Sequence, residues 1–447
     1  MLPSARPAGP GGALALLWLG WAVWLLVQPA LLASDDALFF ADGLSRFSVL
    51  DFSPHFPGYP GFIALGRMVW ALSGAGDAAQ ALFFTSVGCV LALPWVAGWA
   101  AGRGAFAATL ACPLLPAVAL SLLSDGAGLL FLLLGLGGAM RGRPVAAALA
   151  LGGAVCCRPS IAVPALAALV WLCWTERRRG AALLAAFAAP CLLAFGVVLV
   201  KEGWAYGEEG MRFLAGHVGQ WGNTALARHH GGWGDTLAGL PLGWPLAGFG
   251  LLALWQGRGG VAGATLAAGL IWTVALQNPD NPRHLAPLAV LAVLAARSGW
   301  LRAALATAGG VALLSSSQLS PAPPPLAAAR SWLAEAPPGL VLTNQGVTLL
   351  RRTLPTQQVA DVWYGATAAF LAASATGPVY RLTGSRPDEA ALRFAGRVPG
   401  EADLFLIYTG EPLKGLAGSP LAGRGLRPLG RRLNGGEIPA NGSFHRF

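Results

Sequence analysis

The chain has 447 residues, which in a water-soluble protein suggests about three domains of roughly 150 residues each. Its composition excludes that reading: 55% of residues are hydrophobic, 11% are charged and the mean hydropathy is +0.58, where a soluble domain carries about 25% charge. The net charge of +10 comes from 28 Arg and 2 Lys, with no basic block of the kind that binds nucleic acid.

After a short Pro/Gly-rich start with one charge, Arg6, the run from Ala13 to Ala33 is long enough to span ~30 Å of hydrocarbon. It reads as a membrane segment and not a signal peptide, because no small-x-small cleavage site precedes a polar chain and more apolar runs follow. Those runs cover 78–101, 105–122, 127–140, 144–157, 160–174, 181–200, 238–256, 261–277, 285–297 and 302–318, which predicts about eleven spans. With the N-terminus inside, the inner loops hold ten basic residues against one acid, Glu176, while the outer segments up to 318 hold seven basics and eleven acids. That asymmetry satisfies the positive-inside rule. The stretch 58–74 is apolar but interrupted by Arg67 and flanked by Pro57 and Pro60, and is read as a helix lying at the outer interface.

Beyond Pro321–Pro325 the composition shifts, and 326–447 holds 13 basic and 8 acidic residues with no run long enough to span. The pieces GLVLTN, GPVYRL and ADLFLIYTG predict short buried strands, and VWYGATAAFLAAS and AALRFAG predict helices between them. The expected fold is therefore membrane all-α, with about eleven transmembrane helices and an interfacial helix in the first external loop, plus a small α/β extracytoplasmic C-terminal domain. The boundary divides 1–318 from 319–447. Cys89, Cys112, Cys156, Cys157, Cys173 and Cys191 all fall in apolar stretches and read as small buried hydrophobes, not a disulfide framework.

Chemistry concentrates in the outer segments. Asp35 and Asp36 end the first span, where desolvation raises a carboxylate's pKa and a nearby Arg lowers it. A fixed carboxylate can accept a hydroxyl proton without a metal; the structural alternative is helix capping by Ser34 or Asp35. In HFPGYPGF, two prolines around Gly58 and Tyr59 make a stiff turn, and His55 is either a ligand to a sugar or phosphate oxygen or an ordinary loop histidine. Asp125 in SLLSDGAG and Arg158 in CCRPS are ionisable groups between spans, costly at membrane depth and so functional candidates, with snorkelling to water as the alternative for Arg158. Arg283 and His284 open the tenth span in NPDNPRHLAPLAVL, where a guanidinium can hold a phosphate bidentately. Loop 201–237 is rich in Trp and Tyr, suited to an interface or to sugar rings, and its His217, His229 and His230 match no standard metal-ligand spacing.

Taken in order, the acidic pair after the first span, HFPGYP ahead of an interfacial helix, RPS between short spans and NPRHLAPL at a late span resemble the family 39 type of membrane glycosyltransferase. That type belongs to the polytopic GT-C class and includes the protein O-mannosyltransferases and the lipid A aminoarabinose transferases. The resemblance covers roughly 13–318. It implies inverting transfer from a polyprenyl-phosphate sugar at the outer face of the membrane, to an acceptor hydroxyl on a lipid, glycan or protein; the Arg-rich, Lys-poor and Ala/Gly-rich usage points to a bacterial inner membrane, with the C-terminal domain periplasmic. The resemblance implies Asp35 or Asp36 as the base, with Asp35 preferred, and Arg283 and Arg158 on the donor phosphate; His55, Tyr59, Asp125, His217 and His284, by their positions in the outer segments, are the candidates for binding substrate. The family's more usual acid pair includes a Glu, whereas this chain has Asp at both positions. The scheme requires no nucleotide or divalent metal, and no Walker-type loop is present in the sequence. The competing readings are a transporter or flippase of lipid-linked saccharides, a surface-polysaccharide polymerase or ligase, and a non-catalytic scaffold. The ionisable residues cluster at the outer face instead of mid-bilayer, which argues for the transferase.

Overall fold

Proline and glycine decide where the apolar runs become helices. Helix α1 (Gly12–Leu26) stops well short of Ala33, because Pro29 disfavours helical backbone in the residue before it. Helix α2 (Asp35–Ser45) starts at Ser34, whose Oγ accepts from the Ala37 amide at 3.2 Å. Helix α3 (Pro60–Ser73) opens on proline and closes at Gly74 in the left-handed region. The charge that interrupts this helix is used locally. The Arg67 guanidinium donates to Leu44 O at 2.9 Å and Gly43 O at 3.0 Å, satisfying carbonyls at the end of α2.

Helix α4 (Ala78–Ala101) is capped by Asp77, which accepts from Gln80 N at 2.8 Å. At its other end Arg141 and Arg302 donate to Trp99 O and Ala101 O, at 3.0 and 2.9 Å, so two arginines distant in sequence close a helix C-terminus. The single run expected over 105–122 is two short helices, α5 (Arg103–Leu110) and α6 (Leu115–Leu120), separated at Pro113. Then follow α7 (Asp125–Met140), α8 (Pro144–Cys157), α9 (Ala162–Thr175), α10 (Gly180–Glu202) and α11 (Ala205–Gly216). The run expected over 238–256 bends by 117° between α12 (Trp233–Gly239) and α13 (Gly243–Gly257), at Pro241. Helices α14 (Val261–Leu276), α15 (Ala286–Ala295) and α16 (Gly299–Ser315) complete the helical part.

This computed structural model describes residues 11–228, 231–315, 325–343, 346–361, 371, 374–377, 379–383, 404–408 and 426–428. Two helical stretches among them are long and apolar enough to cross a membrane, α4 and Arg177–Glu202, with a third if the bent α12–α13 pair is one span. The remaining apolar helices run 10–17 residues, short of the ~20 needed for an untilted crossing. Helix length thus supports two or three crossings where apolarity predicted eleven. Leu192, Leu193 and Val200 of α10 are 73%, 72% and 88% exposed, a contiguous apolar surface suited to hydrocarbon and not to water. Among the cysteines, Cys89, Cys112, Cys156 and Cys157 are buried, Cys173 and Cys191 half-buried, and all are free thiols.

The chain divides into two compact units, Met1–Ala30 with Phe39–Leu319, and Leu31–Leu38 with Ser320–Phe447. The second holds α17 (Pro325–Glu335), β1 (Leu340–Thr343), α18 (Val347–Thr353), β2 (Gln358–Asp361), β3 (Val379–Thr383), β4 (Leu404–Tyr408) and β5 (Leu426–Pro428). The sheet order is β2-β1-β3-β4-β5, parallel except for β5. Val341, Leu350, Val359 and Leu382 are buried with Leu326 and Leu333 of α17 in its core. GLVLTN, GPVYRL and ADLFLIYTG supply β1, β3 and β4, while β2 and β5 fall where the pattern predicts no strand. The helix expected in AALRFAG, and nearly all of that in VWYGATAAFLAAS, lies outside the described residues.

In the helical unit, α8 and α10 approach at Gly152, where a Cβ would strike the Phe187 carbonyl and Pro190. Gly152→Ala is therefore expected to destabilise the protein by about 1–3 kcal/mol through overpacking, seen as a lower unfolding midpoint in detergent. An unchanged midpoint would show that α10 can shift away without cost.

Candidate functional site

The strongest polar cluster of the helical unit forms where three helix ends meet. Asp125 opens α7, where the helix dipole favours a carboxylate. Arg158 follows the last residue of α8 and precedes Pro159, which holds it extended at φ −145° and ψ 95°. Its guanidinium turns to α7, with Nη2 at 2.9 Å from Asp125 Oδ1 and Nη1 donating to Ser124 Oγ at 3.1 Å. Gly128, one turn into α7, leaves the space in which the Arg158 stem lies. The pair is well buried, the Arg158 and Asp125 side chains being 11% and 4% exposed.

Arg283 reaches the same carboxylate from the 3₁₀ turn Pro282–Leu285 that leads into α15, its Nε lying 3.9 Å from Asp125 Oδ2. That separation is an ion pair, not a hydrogen bond. Among the described residues Asp125 Oδ2 accepts no hydrogen bond. Two guanidiniums therefore share one carboxylate: Arg158 is locked to it, and Arg283 faces it at longer range. His284 lies within electrostatic reach of Arg283, Arg158 and His217, and His217 Nε2 is 3.2 Å from Leu276 O. Asp125, Arg158, Arg283, His217 and His284, singled out separately in the sequence, are thus neighbours.

His55 and Tyr59 form a different cluster. Their side chains meet at 3.2 Å, His55 stacks on Phe213 at 5.6 Å, and Phe40 packs edge-on to Tyr59 at 4.9 Å. Tyr206 donates to Pro57 O at 3.2 Å, and burial pushes its phenol pKa up to about 12, so it remains a proton donor there. Glu202 accepts from the Val49 amide at 3.1 Å. The HFPGYP turn is therefore held by an aromatic and hydrogen-bonded frame.

Asp35 belongs to the second unit, where its Oδ1 accepts from the Leu349 amide at 2.8 Å in the first turn of α18. Burial raises its pKa; the amides of Leu349, Thr348 and Val347 act against that shift, and the Asp36 charge adds to it. The side chain does cap a helix, though a distant one in sequence and not α2. Among the described residues no group of three His, Cys, Asp or Glu side chains is placed to hold a metal ion, and His229 and His230 lie outside those residues.

The sequence reading missed Ser124 as a partner of Arg158, although its position just before the α7 acid marks it as a polar group at a helix start. It also missed an apolar cavity of about 340 Å³ lined by Trp233, Leu240, Trp244, Leu266, Leu285 and Leu288, among others. Pro241, which bends the α12–α13 pair on its wall, was the available signal. Leu285 stands two residues beyond Arg283, so the cavity begins beside the charged cluster.

The fold is similar to that of ArnT from Cupriavidus metallidurans, a lipid A aminoarabinose transferase of the GT-C class, in its crystal structure bound to undecaprenyl phosphate. The TM-score is 0.50 at 16% sequence identity, over 79% of this chain and 91% of that one. The apo structure of the same protein gives a TM-score of 0.48 at 17% identity, over 78% and 85% of the two chains. The chain thus has a GT-C glycosyltransferase-like fold. No protein-family model matches it, and no curated protein does.

Asp35→Ala is expected to cost about 1 kcal/mol by uncapping α18, whereas Asp35→Asn keeps an acceptor oxygen and costs less. Because the folded pKa is raised, the unfolded chain releases the Asp35 proton first. The Asp35 contribution therefore falls as pH rises from the ordinary 3.8 through the raised value. Asp35→Asn should flatten that slope in unfolding midpoints measured between about pH 4 and pH 7; an unaltered slope would rule out Asp35 as its source.

Proposed function

We propose that the chain is a membrane glycosyltransferase that moves a sugar from a polyprenyl-phosphate donor to an acceptor hydroxyl at the outer face of the cytoplasmic membrane, with inversion. The observation that carries this reading is the adjoining of an arginine pair and an apolar cavity at Arg283–Leu285. A ligand with an anionic head and a long hydrocarbon tail matches both. The GT-C-like fold supports the reading, and ArnT in that fold is bound to undecaprenyl phosphate. On this proposal the shorter apolar helices supply the rest of about eleven crossings, and 319–447 forms a periplasmic domain. The acceptor is a lipid, a glycan or a protein.

In the proposed reaction the acceptor oxygen attacks the anomeric carbon while its proton passes to a carboxylate of the first external loop. The bond from that carbon to the phosphate oxygen breaks, and its electron pair leaves with the lipid phosphate. Arg283, which faces Asp125 at the longer distance, meets that growing charge; Arg158, paired with Asp125 and Ser124, holds the shared carboxylate in place. His284 and His217 line the donor side. His55 and Tyr59 hold the loop in shape. Asp36 is the better base of the acidic pair, because Asp35 is committed to the amides of α18. The activated donor supplies the driving force, so the scheme calls for no nucleotide, metal or other cofactor.

The test is sugar transfer from a polyprenyl-phosphate sugar by the full chain in proteoliposomes. Asp36→Asn should reduce turnover by about a hundred- to ten-thousand-fold with folded protein unchanged. Arg283→Ala should weaken donor binding about thirtyfold. Wild-type turnover in Asp36→Asn would remove it as the base, and undiminished donor binding in Arg283→Ala would remove the phosphate site.

A further inference from the structure

The other end of α15 carries a second basic site. The turn between α13 and α14 and the turn between α15 and α16 enclose an open cleft of about 530 Å³ lined by Trp255, Gln256, Arg258, Gly259, Arg297 and Ser298. Its floor is rigid: Gln256 Oε1 accepts from the amides of Arg297 and Ser298 at 2.9 and 3.1 Å, and Gln256 Nε2 donates to Ser298 Oγ at 3.0 Å. Arg297 is thereby fixed at its backbone, and its Nη2 lies 3.5 and 3.4 Å from where a Cβ would stand on Gly259 and Gly260. The guanidinium lies across a backbone surface without side chains. In the same α13–α14 turn Arg258 rests on the Trp255 ring at 5.1 Å.

Other arginines are engaged elsewhere, Arg177 by the same kind of stacking that Arg258 makes. Arg141 and Arg302 cap α4, Arg179 pairs with Glu176 at 3.7 Å, and Arg177 stacks on Trp174 at 4.6 Å. Among the described residues neither Arg258 nor Arg297 has a carboxylate within ion-pair distance, and no acid lines the cleft. Two guanidiniums fixed over one cleft without a counter-charge are complementary to a phosphate.

We propose that this cleft binds the head-group phosphate of an anionic phospholipid in the leaflet it faces. A lipid fits better than a free ion because the cleft's rim continues into apolar surface. Leu251, one turn before Trp255 on α13, is exposed, as are Trp255 itself and Trp300 at the start of α16. Exposed tryptophans beside arginines mark the level at which head groups lie, and acyl chains below it would cover Leu251. Basic pockets between membrane helices take anionic head groups by this chemistry. The site is separate from the proposed transfer reaction, lying at the other end of the ten-residue helix α15, which is about 15 Å long at 1.5 Å per residue.

Native mass spectrometry of the full chain, released from nanodiscs of phosphatidylglycerol mixed with phosphatidylcholine, reads retained lipid without any sugar transfer. Wild type should retain phosphatidylglycerol about thirtyfold more tightly than Arg258→Gln/Arg297→Gln, and about fivefold more tightly than either single variant. Arg178→Gln, outside the cleft lining, should match wild type, and millimolar inorganic phosphate should not displace the lipid. Equal retention by wild type and the double variant would overturn the proposal. So would displacement of the lipid by inorganic phosphate, which would make the cleft a site for the free ion. If the double variant does not fold, the single variants decide: retention equal to wild type in both would also overturn it.

Discussion

One buried carboxylate, Asp125, governs the polar interior of the helical unit. Without it the Arg158 guanidinium, delivered by the end of α8, and that of Arg283, delivered by the turn before α15, would repel each other in a poorly hydrated space. Unit charges about 4 Å apart interact by roughly 4 kcal/mol at an effective dielectric of 20, so a shared anion decides whether three helix ends can meet. The two contacts are unequal, 2.9 Å for Arg158 and 3.9 Å for Arg283. Arg158 is hydrogen-bonded to Ser124 and paired closely with the carboxylate, whereas Arg283 faces the same carboxylate at the longer distance.

That arrangement was legible in part. Asp125, Arg158 and Arg283 stand out in the sequence because a charge at membrane depth is costly and needs a reason, and the cost is met by their pairing with one another. What sequence patterning could not supply was the partner, since Arg158 has no acid near it along the chain. Asp35 shows the same limit more sharply. Its acceptor role was anticipated locally, as a cap for the helix it begins, yet the amides it serves are in α18. Contacts between groups some 314 positions apart leave no periodic trace, and here such a contact shifts the proposed base from Asp35 to Asp36.

Apolar runs proved better guides to composition than to backbone path. Helices α4, α7, α8, α9 and α14 begin and end within a few residues of the predicted runs, because their ends coincide with glycine, proline or charge. The runs at 13–33, 105–122 and 238–256 failed where a proline lay inside apolar sequence: Pro29 ends α1, Pro113 separates α5 from α6, and Pro241 sits at the 117° bend. Hydrophobicity records which solvent a segment meets, whereas proline ended or bent these three runs, though Pro94 and Pro190 are carried inside α4 and α10. Pro241 at that bend also lines the apolar cavity, so the residue that spoiled the helix prediction is part of the cavity wall.

The same physics explains why likeness of fold persists here at low sequence identity. Leu, Val, Ala and Ile facing lipid or one another exchange at small cost provided that volume is kept, and a chain that is 55% hydrophobic has many such positions. Polar positions do not exchange freely, because each must be satisfied by a specific partner. The information about chemistry is therefore carried by few residues, and these collect at helix ends: Asp125 at the start of α7, Arg158 after α8, Arg283 before α15, and Arg297 after it. With α15 only ten residues long, about 15 Å at 1.5 Å per residue, a short rigid element holds one basic site at each end.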